Sequence, residues 1–338
     1  MANLGDQVSA KVAHAIGIVV IGRNEGERLK ACLSSVQSAL APFVYVDSGS
    51  SDDSVRSARE AGALVVQLDD RTPFSAARAR NEGAARVQLN PAIEFIQFLD
   101  GDCTLLPGWL NAATEAMKAD PTRAVVIGPL VERHPDASYY NRLCALEWKS
   151  VAGEVTNFGA LGGIMLVRAD VFAQLGGFDE RVIAGEDSEF GVRVAMAGFK
   201  VTKIAIEMAT HDADIHRFSQ WWRRAIRGGH AIGQRFSLHG GDPIRDCARE
   251  RRSVLVWGLA LPATMLALAP LTHGGSLLLA LGYVVLGQRV ARYRRGQGDT
   301  SADARLYARF VVLGKFAEAW GLLQFYFNNI AGRFRIIE

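Results

Sequence analysis

Phe95-Ile96-Gln97-Phe98-Leu99-Asp100-Gly101-Asp102 decides how this chain is read. An apolar run rich in aromatic and β-branched residues stops at two carboxylates separated by one glycine. Such a run suits a central strand of a parallel sheet. In open α/β sheets ligands bind beyond the carboxyl ends of the strands, so Asp100 and Asp102 fall where a ligand belongs. Ionised carboxylates only accept hydrogen bonds and suit a hard cation such as Mg²⁺ or Mn²⁺. Gly101 lets the backbone turn tightly beside that ligand. The competing reading is a surface Asp-Gly turn.

Outward from this stretch the pattern repeats. Ile16–Ile21 is a strand followed by Gly22-Arg23-Asn24-Glu25-Gly26, then a helix with Leu29, Cys32, Leu33 and Val36 on one face. Phe43–Val46 is a strand that runs into Asp47-Ser48-Gly49-Ser50-Ser51-Asp52, a loop dense in acceptors. Asp47, directly at the strand end, is assigned to a ligand, and Asp52 to helix capping. A helix over residues 55–61, a strand over 63–68 and a helix over 76–87 follow. Strand alternating with helix predicts an α/β domain with a parallel, doubly wound sheet.

The sequence resembles the family-2 glycosyltransferases of the GT-A fold. The matching pieces are Val19-Val20-Ile21-Gly22-Arg23-Asn24-Glu25, Val46-Asp47-Ser48-Gly49-Ser50-Ser51-Asp52, Ala79-Arg80-Asn81-Glu82-Gly83 and Phe98-Leu99-Asp100-Gly101-Asp102. Gly176-Gly177-Phe178-Asp179-Glu180 and Glu186-Asp187 come later, in the family's order, so the likeness covers residues 15–215. It implies a nucleotide-diphospho-sugar donor, of UDP or GDP type, held by Asn24, Glu25, Asp47, Arg80 and Asp100. It implies Mn²⁺ or Mg²⁺ on Asp102, with His211 as a further ligand and His216 a rival. Asp187 matches the general base that takes the acceptor hydroxyl's proton, and direct displacement with such a base inverts the anomeric centre. Gly162 and Gly163 open a Gly-rich approach to a strand, where small residues let backbone meet sugar; packing against a helix is the alternative.

Processive members carry Gln-x-x-Arg-Trp. Here Gln220 and Arg223 are followed by Arg224, which speaks against polymerisation. Arg223 and Arg224 are candidate diphosphate contacts.

The chain has 338 residues, 49% of them apolar, and a formal charge of +3, which carries no nucleic-acid signature. The positive excess lies after residue 216. Four scattered cysteines give no zinc or disulfide framework. Residues 1–14 read as a disordered N-terminus without a signal peptide. Residues 15–240 are expected to form the catalytic domain and 241–338 a membrane-associated region. Residues 253–288 lack Asp, Glu, Lys and Arg and lie between arginine clusters. They read as a membrane hairpin with basic flanks on the cytoplasmic side. Residues 302–330 read as an amphipathic interfacial helix, with an apolar stripe from Leu306 and Phe310 to Phe327 and Ile330.

The expectation is thus a metal-dependent inverting glycosyltransferase anchored to the cytoplasmic face of the inner membrane. Its acceptor would be a saccharide or lipid-linked glycan, with membrane lipids as partners and no nucleic acid. Transfer to a polyprenyl phosphate is the alternative, and a non-catalytic membrane scaffold is the alternative of another class. A nucleotidyltransferase is disfavoured, because no Gly-rich loop with Lys follows the first strand.

Overall fold

The computed structural model describes residues 15–159 and 161–332. The expectation of a disordered stretch over 1–14 lies outside these residues. In chain order the elements are β1 (Ile16–Gly22), α1 (Gly26–Gln37), β2 (Phe43–Asp47), α2 (Ser54–Glu60), β3 (Leu64–Gln67), α3 (Ala76–Val87), β4 (Phe95–Asp100), β5 (Cys103–Leu105), α4 (Trp109–Ala119), β6 (Arg123–Ile127) and β7 (Leu130–Glu132). Then come α5 (Tyr139–Glu147), β8 (Gly153–Glu154), β9 (Met165–Arg168), α6 (Ala169–Gln174), α7 (Glu186–Met196), β10 (Lys200–Lys203), β11 (Ala209–His211) and α8 (Phe218–His239). The chain divides into two units. The first holds residues up to 134 and 148–213, and the second holds 135–147 and everything from 214 onward.

The first unit is an eight-stranded sheet of order β3-β2-β1-β4-β9-β6-β10-β8. β1 pairs in parallel with both β2 and β4, and β2 with β3. β9 enters antiparallel between β4 and β6, so the sheet is mostly parallel and not wholly so. Neighbouring residues of β1 and β4 are buried on both faces: Ile18, Val19, Val20, Phe98 and Leu99 are each fully enclosed. Each such side chain contributes roughly 1.5–3 kcal/mol. α3 lies close on β1 because Gly83 has no side chain; a Cβ there would run into Val19.

A second sheet of three short strands, β5-β11-β7, sits in the same unit. The sequence pattern suggests one strand over 201–208. Instead β10 ends at Lys203 in the large sheet, and β11 resumes at Ala209 in the small one. Three-residue strands are too short to show a period. This small sheet sets Cys103 and Glu132 on either side of His211.

In the second unit a helical run follows α8: α9 (Ala248–Val254), a π-helical turn (Leu255–Ala260) and α10 (Leu261–Leu268). A 3-10 segment (Gly275–Ala280) leads into α11 (Leu281–Gly296), and α12 (Ser301–Ile330) closes the unit. α12 packs along α8 where small residues allow close approach, with Leu322 and Phe325 seated over Gly233 and Phe310 against Trp221. Ala304, Ala308, Gly314, Ala317 and Gly321 are buried, whereas Leu313, Trp320, Phe327 and Ile330 of the expected stripe are exposed. A Cβ at Gly229 would collide with the Glu318 carbonyl, and one at Gly321 with the Ile226 carbonyl.

The membrane anchor is corrected here. Among the described residues no helix is long and apolar enough to cross a membrane. The apolar part of the first arm, residues 253–268, falls short of the roughly 20 residues a span needs. The chain then turns at His273 and Gly274, which have positive φ. The second arm carries Arg289, Arg292, Arg294 and Arg295 inside α11. The inner-membrane location inferred from the hairpin is therefore not supported.

Candidate functional site

The carboxyl ends of β1, β2 and β4 lie side by side, with Gly22 level with Asp47 and Ile21 level with Asp100. Asp47 is buried and its carboxylate is used by its own loop. Oδ2 accepts from the amides of Gly49 (3.1 Å) and Ser50 (3.0 Å), and Oδ1 from the Tyr45 hydroxyl (3.2 Å). Asn24, at φ 57°, ties the first loop to the second: its Oδ1 accepts from the Ser51 amide at 2.7 Å. Asp52 caps, accepting from the amides of Ser54 (3.0 Å) and Gly26 (3.1 Å).

Arg80 projects from α3 into the interior and is fully enclosed. Its Nη2 donates to Asp100 Oδ1 at 2.7 Å, and its Nη1 to Glu186 Oε1. One guanidinium thus joins the end of β4 to the first turn of α7. Its neighbour Asn81 clamps the Gly176-Gly177-Phe178 turn, donating to the Phe178 carbonyl and accepting from the Phe178 amide, both at 2.9 Å. Gly177, at φ 73°, leaves room for that amide group. Two sequence motifs nearly a hundred residues apart are therefore the two halves of one contact.

Asp187 sits beside Glu186 at the start of α7, entered through Gly185 at φ 78°. Its Oδ2 accepts from the amides of Gly162 (2.7 Å) and Gly163 (3.1 Å). Both glycines have positive φ, and a Cβ at Gly163 would meet the Arg80 guanidinium. Gly162 and Gly163 thus orient the Asp187 carboxylate. No hydrogen bond to Asp187 Oδ1 is made among the described residues.

Asp102 follows the Gly101 turn. Its Oδ2 is 3.4 Å from His211 Nε2, and the Cys103 thiol donates to its Oδ1 at 3.1 Å. One donor atom each from Asp102, Cys103 and His211 lie within 4.8 Å of one another. Burial first, then Asp102 and Asp100, push Glu25 up to about 7, against the Arg28 guanidinium 2.8 Å away. Burial works against a charged His211, yet Glu132, Asp102 and Asp100 outweigh it and raise the imidazole above its ordinary value. Burial holds the Cys103 thiol neutral, well above its usual range. Three crowded carboxylates beside an imidazole suit a divalent cation, so the residues fit the metal that the resemblance implies.

Arg223 and Arg224 lie on α8 in the second unit. Arg224 is tied to Glu147 Oε2 at 2.7 Å, and Arg223 is exposed. Gln220, the first residue of the motif-like stretch, caps its own helix by accepting from the Arg217 amide at 2.8 Å. His216 is exposed beside Asp214 at 3.0 Å. Sequence reasoning missed Glu132 and Cys103, which touch the Asp102–His211 corner, as Trp148 does through the His211 ring. One signal for Glu132 was available: like Asp100, it is an acidic residue directly after an apolar strand pair, Leu130-Val131.

The description "glycosyl transferase family 2" matches residues 17–175. The chain is 27% identical over 228 residues to glycosyltransferase AglE of Haloferax volcanii, covering 63% of this chain and 71% of that protein. It is 27% identical over 293 residues to the pre-mycofactocin glycosyltransferase of Mycobacterium tuberculosis, covering 83% of this chain and 58% of that protein. Among solved structures it superposes on a mannosyltransferase from Pyrobaculum calidifontis, in complex with GDP-Man and Mn²⁺. The TM-score is 0.63 at 20% identity, over 93% of this chain and 87% of the other. That superposition shows a shared GT-A-like fold.

Proposed function

We propose that this chain, whose residues 17–175 match the model of glycosyl transferase family 2, is a glycosyltransferase of that family and moves one sugar from a nucleotide-diphosphate sugar onto an acceptor hydroxyl, with inversion. The observation that carries this reading is the convergence of two carboxylate sites on one buried arginine. Asp100 leads to Asp102 and His211, Glu186 leads to Asp187, and Arg80 holds both ends. In this reading Asp102 and His211 hold the divalent cation, and Asp100 stands beside it. Such a cation, when bound, stabilises the charge that grows on a departing diphosphate.

Asn24, Glu25 and the Asp47 loop then frame the nucleoside, with the loops already braced against each other. Arg80 is spent on two carboxylates, so we assign it to positioning the site and not to gripping the diphosphate. Asp187 holds the acceptor proton. Two backbone amides anchor one of its oxygens, which aims the other at a hydroxyl within hydrogen-bond reach. The acceptor class we favour is a saccharide hydroxyl, because a base so firmly oriented is of little use to an anionic phosphate acceptor. The relatives' names state glycosyl transfer, and the structural neighbour, a complex with GDP-Man and Mn²⁺, supports the donor and metal parts of this reading.

Calorimetric titration of UDP, GDP and dTDP into the full chain, with Mn²⁺ or with EDTA, tests it. Binding of one nucleotide that needs Mn²⁺ and disappears in Asp102→Ala is expected. No binding of any of the three with Mn²⁺ present would overturn the donor site.

A further inference from the structure

The small sheet holds a residue that neither the sequence motifs nor the proposed chemistry uses. Glu132 ends β7, in register with His211 on β11, and the two strands run parallel. Its side chain is completely enclosed. A buried carboxylate is costly unless it is met by donors. Here the Ala213 amide lies 3.3 Å from Oε2, and the His134 amide 3.3 Å from Oε1. These amides fix the carboxylate, and its Oε2 lies 3.6 Å from His211 Nδ1. That ring nitrogen is buried and makes no hydrogen bond among the described residues. The opposite nitrogen, Nε2, faces Asp102 at 3.4 Å. Trp148 stacks edge-on against the imidazole, with centroids 4.5 Å apart at 73°, and limits its rotation.

We propose that Glu132 is a positioning residue for the metal site, accepting the Nδ1 proton of His211 so that the Nε2 lone pair is presented beside Asp102. The inference rests on the reading of Asp102 and His211 as cation ligands. The physical reason is general. A neutral imidazole carries one proton on one of two nitrogens, and an acceptor at Nδ1 selects the tautomer that leaves Nε2 free. A carboxylate there also raises ligand basicity, and losing such a partner typically weakens metal affinity about 10- to 100-fold. Gln at the same position keeps the volume and removes the charge.

The test titrates Mn²⁺ alone into the full-length protein and its Glu132→Gln variant, counting free Mn²⁺ by electron paramagnetic resonance. Affinity about 10- to 100-fold weaker in the variant, with transferase rate recovered at high Mn²⁺ and an unchanged circular dichroism spectrum, is the expected result. Equal affinity in the two proteins would overturn the proposal. Failure of the unsubstituted protein to bind Mn²⁺ would instead overturn the metal reading on which it stands. If the variant does not fold, nitrogen-15 spectra of His211 in the unsubstituted protein with Mg²⁺ decide the matter. A proton on Nδ1 supports the assignment, and a proton on Nε2 refutes it.

Discussion

Arg80 Nη2 lies 2.7 Å from Asp100 Oδ1 while the other end of the same guanidinium holds Glu186. Lysine offers a single point charge and cannot span both carboxylates as a planar fork does. Arg80→Lys is expected to lower the thermal midpoint clearly, and Arg80→Met to do so more. Breaking a buried pair by removing one partner costs on the order of 3–5 kcal/mol. Differential scanning calorimetry of the three proteins checks the ranking.

Gly163→Ala is expected to cost more than Gly162→Ala. Both residues have positive φ, which strains any side chain, but only at Gly163 does the new methyl meet the Arg80 guanidinium. The Gly162 change should cost roughly 1–2 kcal/mol from backbone strain. Chemical denaturation measures both, and equal losses would show that Arg80 yields freely.

Asp187→Asn should reduce kcat by about 10²–10⁴ while leaving metal-dependent nucleotide binding within about twofold. The amide oxygen can still accept from Gly162 and Gly163, so the site keeps its shape and loses its base. Substantial remaining activity would point to an acceptor that is already anionic.

Acid should destabilise the second unit through His230. The ring is buried against Phe325, centroids 5.4 Å apart, and its Nδ1 has no hydrogen-bond partner among the described residues. Burial lowers its pKa to about 4, against 6.5 for a free imidazole. The unfolded chain therefore takes up a proton that the folded one refuses, and stability present above pH 6.5 is lost as the pH falls toward about 4. His230→Leu should flatten that limb of a stability-against-pH curve.

Gly228 and Gly321 predict opposite signs for the same change. A Cβ at Gly228 meets open space, so Gly228→Ala in the interior of α8 should stabilise by about 0.5–1 kcal/mol. At Gly321 the methyl strikes backbone, and overpacking should destabilise by about 1–3 kcal/mol. Thermal unfolding of the two variants separates them.

Much of this was legible in the sequence, for physical reasons that differ by element. The β4 run and its acidic end are contiguous, and α3 begins and ends where its pattern says, so both read directly. The role of Arg80 was not legible, because its partners lie 20 and 106 residues away and only folding brings them together. The small sheet escaped because its strands are three residues each. α12 misled for another reason. Its large apolar residues trace a stripe that is mostly exposed, and the face that packs combines small residues, which permit close approach, with Leu322 and Phe325 over Gly233.

That helix contact constrains how the second unit can change over evolutionary time. When a core side chain grows, a neighbour can shrink to accommodate it, and pairs of substitutions drift together. Gly229 and Gly321 face carbonyl groups, which every amino acid carries and none can trim. A lineage that loses either glycine has no single compensating substitution at the point of contact, and its recovery must come from elsewhere along the two helices.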